Sequence, residues 1–243
     1  MRRMKTRLDR LLVERGLAES REKAQALIMA GEVLLNGQKA SKPGQVVAAD
    51  CVVSVLARPP YVSRGGLKLA GALAHFGLNV AGAVCLDIGS STGGFTDALL
   101  QAGASRVHAV DVGAGQLAWS LRTDPRVVVH EGINARELTP EDIGERVDFL
   151  TCDVSFISVT LILPAAVRLL QPGGQMVILI KPQFEAGKGL VGKGGIVRDP
   201  QLHQAVCEKV TRAVREFGFE TSIVESPIRG AEGNREFLLY AHN

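Results

Sequence analysis

Apolar residues in the first quarter of the chain recur twice at helical spacing. Leucines in residues 8–16 fall on one helical face, and apolar residues in 20–30 do the same. Ser20 is typical of a helix N-cap, while Gly16 and Gly31 are typical of helix ends. Short β-rich runs separated by turn residues follow as far as residue 55. The pattern predicts two short helices and one small curled sheet.

Beyond Pro59 and Pro60, strand-like apolar runs alternate with helical stretches. The first five runs are almost continuously apolar, as expected for strands buried on both faces. An α/β fold with a doubly wound parallel sheet is therefore predicted. The last two runs are close in sequence, so we expect them to form an antiparallel hairpin at one side of that sheet. The seven strand candidates are residues 84–88, 107–112, 127–130, 147–152, 176–180, 220–225 and 236–241.

The charge of the chain is unevenly distributed. Residues 1–60 contain 11 Lys and Arg against 6 Asp and Glu, a net +5, while the remainder contains 17 against 19, a net −2. A basic N-terminal region favours a polyanionic partner. A solvated basic surface without a partner is the alternative interpretation.

The cysteines and the apolar runs bear on location. The four cysteines are widely spaced without a C-x-x-C pair, which favours buried thiols in a reducing compartment over a zinc site or disulfides. We expect no secretory signal, because the apolar stretch after the basic start ends at Glu14. The longest uncharged apolar run, residues 154–167, is shorter than the roughly 20 residues that a membrane span requires. A cytoplasmic protein without a membrane or metal partner is predicted.

A glycine-rich segment connects the first strand candidate to a helix predicted to begin near Phe95. Its spacing lacks the G-x-G-x-x-G of dinucleotide enzymes and the G-K-[ST] of a P-loop. Methyltransferases place D-x-G-x-x-x-G here, with the carboxylate near the methionine moiety of the donor. A purely structural turn is the alternative. The candidate cofactor-binding residues in this segment are Asp87, Gly89, Ser91, Thr92, Gly93, Gly94 and Phe95.

Asp111 and Asn134 extend this candidate site. Asp111 ends the second strand about 20 residues beyond the loop, where a carboxylate can accept hydrogen bonds from a ribose diol. Dinucleotide enzymes share that feature, so it indicates adenosine binding but does not distinguish a methyltransferase from a dinucleotide enzyme. Asn134 follows the third strand at the expected adenine position, although an Asn that only forms a turn explains it equally well.

Four charged residues are candidates for catalysis. Asp153 and Lys181 stand at the carboxyl ends of the fourth and fifth strands, where open α/β sheets bind ligands. Lys68 lies in the helix before the first strand, and Glu236 opens the last. A structural ion pair is the less favoured alternative for the first two, and an exposed salt bridge is the better explanation of each of the others taken singly. Together, two lysines and two carboxylates can converge on one pocket.

The motifs resemble those of the TlyA family of ribosomal RNA methyltransferases over almost the whole chain. The N-terminal part is similar to an S4 RNA-binding domain and the remainder to FtsJ-like 2′-O-methyltransferases with a Rossmann-like, seven-stranded sheet. A departure from the FtsJ-like loop occurs at residues 90–92, where Ser-Ser-Thr replaces the usual Ala and Pro. The matching segments are RLDRLL (7–12), SREKA (20–24), GEVLLNG (31–37), YVSRGG (61–66), DVSFIS (153–158), KPQFE (181–185) and GGIVRD (194–199).

This resemblance implies a function. It implies methyl transfer from S-adenosylmethionine to a cytidine ribose 2′-hydroxyl of 16S and 23S ribosomal RNA, without a metal. The Lys-Asp-Lys-Glu tetrad of the family corresponds to Lys68, Asp153, Lys181 and Glu236, with Lys181 as general base. The implied domains are residues 1–58 for S4-like RNA binding and 67–243 for methyl transfer, joined by a linker at 59–66.

RNA binding is expected to depend on the phosphate backbone. Only 11 aromatic residues are present, which disfavours a base-stacking platform and favours recognition of RNA shape. Residues 184–198 form a glycine-rich connection whose Lys188, Lys193 and Arg198 are further candidates for phosphate contact. The RNA-binding candidates in the predicted helix pair are Arg7, Arg10, Arg21 and Lys23.

Three other functions fit part of the sequence. A dinucleotide oxidoreductase shares the fold and Asp111 but has no use for the tetrad. A non-catalytic RNA-binding or ribosome-assembly factor would retain the methyltransferase domain without its activity. A pore-forming haemolysin, another label in this family, is the least compatible with the apolar pattern. The sequence does not indicate the oligomeric state.

Overall fold

The computed structural model describes residues 5–56, 59–187, 189–192, 194–230 and 233–243. The chain divides into two compact units, Met1–Pro59 and Pro60–Asn243. Each unit contains its own hydrophobic core. The finer domain limits given above stay a prediction.

Over its described residues, 5–56 and 59, the first unit contains two helices and five short strands. Leu8, Leu12 and Ile28 are fully buried between the helices and the strands, as the helical periodicity predicts. Ser20 Oγ accepts a hydrogen bond from the Lys23 amide at 3.2 Å, so it is an N-cap. The elements are β1 (Lys5–Arg7), α1 (Leu8–Glu14), α2 (Arg21–Met29), β2 (Val33–Leu35), β3 (Gln38–Lys39), β4 (Val46–Ala48) and β5 (Val53–Val55).

The strands of the first unit form two sheets, so the expectation of one curled sheet was wrong. Within the described residues, β3, β2 and β5 form one antiparallel sheet, and β1 pairs with β4 in another. The turn at Pro43 and Gly44 redirects the chain after β3, and the Leu8 amide then bonds to the Gln45 carbonyl. As a result β4 pairs with the strand that precedes α1.

A buried carboxylate connects the two helices of this unit. Asp9 has no exposed surface, and its oxygens accept hydrogen bonds from Arg7 Nε at 3.0 Å, Gln25 Nε2 at 3.0 Å and Arg21 at 3.2 Å. The amide of Arg10 donates a further bond at 2.9 Å. Chiefly through the hydrogen bond from Arg7, these contacts lower the pKa of Asp9 far below its usual range. The ionised carboxylate is therefore part of the folded state.

We expect the Asp9→Asn variant to loosen this unit, because the amide removes the charge and presents donors to the donors of Arg7 and Arg21. Amide hydrogen exchange in α1 and α2 at neutral pH should accelerate at least ten-fold, measured by mass spectrometry. Because the folded pKa is lowered, the stabilisation exists above the unfolded value near 3.9 and is lost as the pH falls below it. Wild type and variant should therefore converge in acid.

The control variant is Glu14→Gln, which removes a carboxylate from the exposed Arg10–Glu14 pair. Its exchange rates should stay close to those of wild type. Equal exchange in Asp9→Asn and Glu14→Gln would contradict the stabilising role of Asp9.

The second unit alternates strands with helices. Gly65 and Gly66, predicted to end a linker, form the first turn of its first helix. The elements are α3 (Gly65–Phe76), β6 (Val84–Ile88), α4 (Gly94–Gln101), β7 (Arg106–Asp111), α5 (Trp119–Arg122), β8 (Val127–Glu131), α6 (Pro140–Ile143), β9 (Val147–Cys152), α7 (Leu163–Ala166), β10 (Leu170–Ile180), α8 (Pro182–Glu185), α9 (Pro200–Arg215), β11 (Glu220–Glu225) and β12 (Phe237–His242), with 3-10 turns at Val159–Leu161 and Val167–Leu169.

Within the described residues, seven strands form one sheet in the order β11-β12-β10-β9-β6-β7-β8. The strands from β10 to β8 are parallel, and β12 pairs antiparallel with both β10 and β11. The α/β sheet and the hairpin at one side are thus confirmed. Because parallel strands end at the same edge, the carboxyl ends of β6, β7, β9 and β10 form one edge at which a ligand can bind.

Three strands begin at different residues from those predicted, and one of them, β7, is Arg106–Asp111 instead of residues 107–112. β10 starts at Leu170, which pairs with Val147, and its register with β9 shifts before Gln175. Pro172 and the glycines after it interrupt the apolar pattern there, so sequence periodicity missed this first part. β12 starts at Phe237.

The cysteines are free thiols, with Cys85 and Cys152 buried and Cys51 and Cys207 partly so. Burial raises the pKa of Cys85 to about 12. In the described part of the chain, no helix combines the length and the apolar character needed to span a bilayer.

Candidate active site

The loop between β6 and α4 packs closely against the loop after β9. Gly89 has φ of +84°, and a Cβ there would overlap the carbonyl oxygen of Asp153. Gly93, with φ of +96°, precedes α4, and a Cβ there would overlap the Leu121 side chain. Glycine meets both requirements, a positive φ and a close approach. Gly89 thus lets the loop after β6 approach the end of β9, and Gly93 lets it approach α5.

Asp87 lies beneath this loop. It is fully buried, with Thr96 Oγ1 donating to one oxygen at 2.6 Å and Thr151 Oγ1 to the other at 2.9 Å. Burial raises the pKa of Asp87 to about 6, although these hydrogen bonds oppose the shift. The carboxylate lines neither of the two clefts described below. In this structure it connects β6, β9 and α4 and positions the loop above them.

Asp111 faces a cleft of about 540 Å³ at the edge of the sheet. Its two oxygens accept hydrogen bonds from the amides of Ser91 at 2.8 Å and Gly113 at 2.7 Å. Each carboxylate oxygen can accept a second hydrogen bond, so a ribose diol remains a possible donor. The cleft is lined by Gly89, Ser91, Val110, Asp111, Val112, Gln116, Ile133, Asn134, Ala135, Asp153, Val154, Ser155, Phe156, Ile157 and Ile162. Its apolar wall and polar end suit an adenosine group.

The other cofactor candidates occupy different positions. Asn134 lines the cleft, but its side chain bonds to Glu137 Oε1 and the Arg136 amide, as in a turn-forming Asn. Phe95 is buried in the core, and it also forms part of the lining of a second cleft. Thr92 and Gly94 line that second cleft as well.

All four tetrad candidates line this second cleft, which has a volume of about 380 Å³. Lys68 Nζ donates to Glu236 Oε2 at 2.6 Å, and Lys181 Nζ lies 2.6 Å from Asp153 Oδ1. The two clefts share the walls formed by Gly89, Ser91, Asp153, Ser155 and Phe156. The structure therefore brings the four residues together beside the glycine-rich loop, as two ion pairs.

The two ion pairs differ in geometry. Lys68 and Glu236 are buried and joined by a hydrogen bond. The Lys181–Asp153 contact has ion-pair distance without hydrogen-bond angles, and Lys181 donates instead to Ser155 Oγ at 2.8 Å. Lys181 is thus held between a carboxylate and a hydroxyl at the mouth of the cleft.

Several lining residues were not singled out from the sequence. Ser155 contacts Lys181, Gln116 accepts a bond from Ser91 Oγ at 3.2 Å, and Arg64 lines the tetrad cleft. Phe156 has φ of +65°, is 91% exposed and packs against Phe184 at 5.0 Å between ring centroids. Ser155 and Phe156 lie within the DVSFIS motif and Arg64 within the YVSRGG motif, and these two motifs were the available signals.

The RNA-binding candidates of the first unit all have acidic partners. Arg7 and Arg21 bind Asp9, Arg10 binds Glu14, and Lys23 binds Glu19. Their side chains are nevertheless about half exposed or more. In the second unit Arg198 is exposed, while Lys188 and Lys193 lie outside the described residues.

Comparisons with known proteins match both units. An S4 domain model matches residues 6–52, and the model of FtsJ-like methyltransferases matches residues 61–243. A TlyA 16S/23S rRNA (cytidine-2′-O)-methyltransferase of Mycobacterium tuberculosis is 50% identical over 239 residues, which cover 97% of this chain and 89% of that protein. The chain belongs to the TlyA family of rRNA methyltransferases.

Solved structures agree with membership of the TlyA family. A Streptococcus thermophilus structure described as a hemolysin has a TM-score of 0.75 and 46% identity, covering 99% of this chain and 89% of its own. An O-methyltransferase of Bacillus cereus in complex with SAH shares the fold, with a TM-score of 0.52 and 19% identity, covering 76% of this chain and 84% of its own. The predicted methyltransferase is confirmed, and the dinucleotide oxidoreductase is not supported.

We expect Asp111→Ala to weaken binding of S-adenosylmethionine at least ten-fold in this TlyA-family chain. The substitution removes an acceptor from the cleft and leaves the Ser91 and Gly113 amides without their partner. Isothermal titration calorimetry would measure the affinity. Asp124→Ala is the matched control, because Asp124 pairs with Arg126 away from both clefts. Equal affinities of the two variants would exclude Asp111 from the donor site.

Proposed function

We propose that this chain transfers a methyl group from S-adenosylmethionine to the 2′-hydroxyl of a cytidine in ribosomal RNA. The observation that carries the proposal is the convergence of two lysine–carboxylate pairs on a cleft that shares a wall with the glycine-rich cleft. The printed activity of the M. tuberculosis relative supports the choice of cytidine and of ribosomal RNA. A cytoplasmic location accompanies this proposal.

The first cleft supplies the residues for the donor. Asp111 would hold the ribose, Asn134 would border the adenine, and Gly89 and Ser91 would bring backbone close to the ligand. S-adenosylmethionine, when bound, supplies a methyl group on a sulfonium, which oxygen nucleophiles can attack. Asp87 supports this surface from below, since its oxygens are both occupied by threonine hydroxyls.

Lys181, in its neutral amine form, is proposed as the group that accepts the proton of the 2′-hydroxyl and becomes the ammonium that pairs with Asp153. Lys181 lines the tetrad cleft, and its Nζ contacts Asp153 and Ser155, two residues that line both clefts. Asp153 orients the amine, and Lys68 and Glu236 line the same cleft. Positioning of the hydroxyl next to this amine would contribute as much as the proton transfer itself.

The first unit is proposed to bind the RNA backbone. Arg7, Arg10, Arg21 and Lys23 would contact phosphates while they keep or share their carboxylate partners. An Arg side chain has five N–H donors, so Arg7, which uses two of them on Asp9, retains others for a phosphate. Their exposure is consistent with this role.

Mapping of the product tests the function directly. Ribosomal RNA that lacks the modification should gain a 2′-O-methylcytidine when incubated with the protein and the donor, as detected by mass spectrometry of nuclease fragments. RNA binding without methyl transfer would instead support a non-catalytic assembly factor. Methylation confined to a base would overturn the 2′-O assignment.

Two variants of Lys181 separate its charge from its basicity. Lys181→Arg keeps the positive charge, but a guanidinium does not give up its proton, whereas Lys181→Met removes the charge at similar length. We expect turnover to fall at least 100-fold in both, the usual size of general-base effects, with little change in donor affinity. Single-turnover kinetics and calorimetry would measure these quantities. Turnover in Lys181→Arg within ten-fold of wild type would remove Lys181 from the role of base.

A further inference from the structure

A third cleft of the second unit has a basic lining. Its volume is about 380 Å³, and none of its lining residues belongs to the two clefts described above. Three arginines and a histidine contribute to it. The lining residues are Ile196, Val197, Arg198, His203, Arg229, Gly233 and Arg235.

The wall of this cleft is fixed by a buried asparagine. Asn234 Oδ1 accepts a hydrogen bond from the Val197 amide at 3.0 Å, and its Nδ2 donates to the Gly195 carbonyl at 2.9 Å. These bonds attach the segment before α9 to the segment before β12. Arg198 and Arg235 are each adjacent in sequence to one of the bonded residues, so the backbone on both sides of the cleft is anchored.

His203 has a buried nitrogen without a partner. The side chain is 4% exposed, and its Nε2 lies 3.1 Å from the Val197 carbonyl oxygen. Since a carbonyl can only accept, Nε2 carries the hydrogen, and Nδ1 is left without a hydrogen bond. A buried polar atom of this kind calls for a partner, which can be an ordered water, an ion or a ligand. On a protonated ring, Nδ1–H would donate to an anion.

The charges around the cleft favour an anion. Arg235 is neutralised by Glu225, with bonds of 2.8 and 2.6 Å. Among the residues that the structure describes, neither Arg198 nor Arg229 has an ion-pair partner, and Arg229 bonds only to the Gly233 carbonyl at 3.1 Å. Glu225 lies within electrostatic range of Arg229 and His203 as well, but its two oxygens are bonded to Arg235. The guanidinium groups of Arg198 and Arg229, and His203 when both of its ring nitrogens carry a hydrogen, supply the donors that a phosphate requires.

The cleft is connected to the proposed active site through one short segment. Glu236 of the tetrad cleft directly follows Arg235, and a Cβ on Gly230, next to Arg229, would overlap the Glu236 carboxylate. An anion held here would therefore lie on the Glu236 side of the tetrad cleft. An RNA strand with one nucleotide in the tetrad cleft could place a neighbouring phosphate there.

We propose that Arg198, Arg229 and His203 form a binding site for a backbone phosphate of the RNA substrate. The inference rests on the proposed function for the identity of the RNA, and it adds a contact in the methyltransferase unit to those in the S4 unit. The site binds a phosphodiester of the strand that enters the tetrad cleft, and it aligns that strand.

The test compares two double variants of the full-length protein. Arg198→Gln with Arg229→Gln removes the two unpaired charges, and Arg168→Gln with Arg212→Gln removes two exposed arginines elsewhere in the same unit. Affinity for a fluorescently labelled 20-nucleotide single-stranded RNA is measured by anisotropy at several KCl concentrations. We expect the first variant to bind at least five-fold more weakly and to reduce the salt slope by about 0.7 per lost contact, relative to the second. Equal affinities and slopes of the two variants would overturn the site.

The imidazole resonances of His203 distinguish the sources of phosphate. The ¹⁵N signals of the ring should shift when the RNA is added, and inorganic phosphate at millimolar concentration should shift them weakly. Shifts with inorganic phosphate but not with RNA would assign the cleft to free phosphate and overturn the proposal. Both measurements are independent of methyl transfer. If methylation fails while the binding difference persists, only the proposed function is wrong, and if methylation proceeds while the variants bind equally, only this site is wrong.

Discussion

The second unit depends on a buried ion pair between residues from opposite ends of its sequence. Lys68 lies in α3 and Glu236 precedes β12, 168 positions further along the chain, yet their side chains meet at 2.6 Å. Glu236 is only 2% exposed, and a buried carboxylate without its cation would cost several kcal/mol. Each residue therefore requires the other. Gly230 completes the arrangement, because any larger residue would displace the carboxylate.

A second constraint acts where the loop after β6 meets the loop after β9. The absence of a side chain on Gly89 lets the β6 loop reach the backbone of Asp153, which fixes the loop after β9. Asp153 and Ser155 then both reach Lys181. Beneath them, Asp87 holds the strands together through two threonines, although burial raises its pKa to about 6. Keeping a buried carboxylate ionised at neutral pH lowers the stability of the folded state. The hydrogen bonds from the two threonines offset part of that cost.

The net charge of each unit does not show which basic side chains of this protein are free of a carboxylate partner and so available to bind a phosphate. The basic first quarter contains four candidate phosphate ligands, and every one of them already contacts a carboxylate. The second unit is slightly acidic as a whole, yet Arg198 and Arg229, which line its third cleft, have no ion-pair partner among the described residues. Local pairing depends on which side chains the fold makes neighbours, and a sum over the sequence does not contain that information.

The sequence by itself determined the fold and most of the residues of the candidate site. Apolar runs buried on both faces predicted the sheet, the Gly-rich turn predicted the loop after β6, and placement at strand ends identified Asp111, Asp153 and Lys181, because parallel strands must present their carboxyl ends at one edge. Only the tertiary structure decided the partners. Asp87 turned out to be buried beneath the loop, Asn134 to be bonded within a turn, and the strands of the first unit to form two sheets. The pairing of Lys68 with Glu236, the contact of Ser155 with Lys181 and the cleft around His203 were likewise decided there. These contacts join segments far apart in sequence, and their geometry follows from how whole elements pack, which no local periodicity encodes.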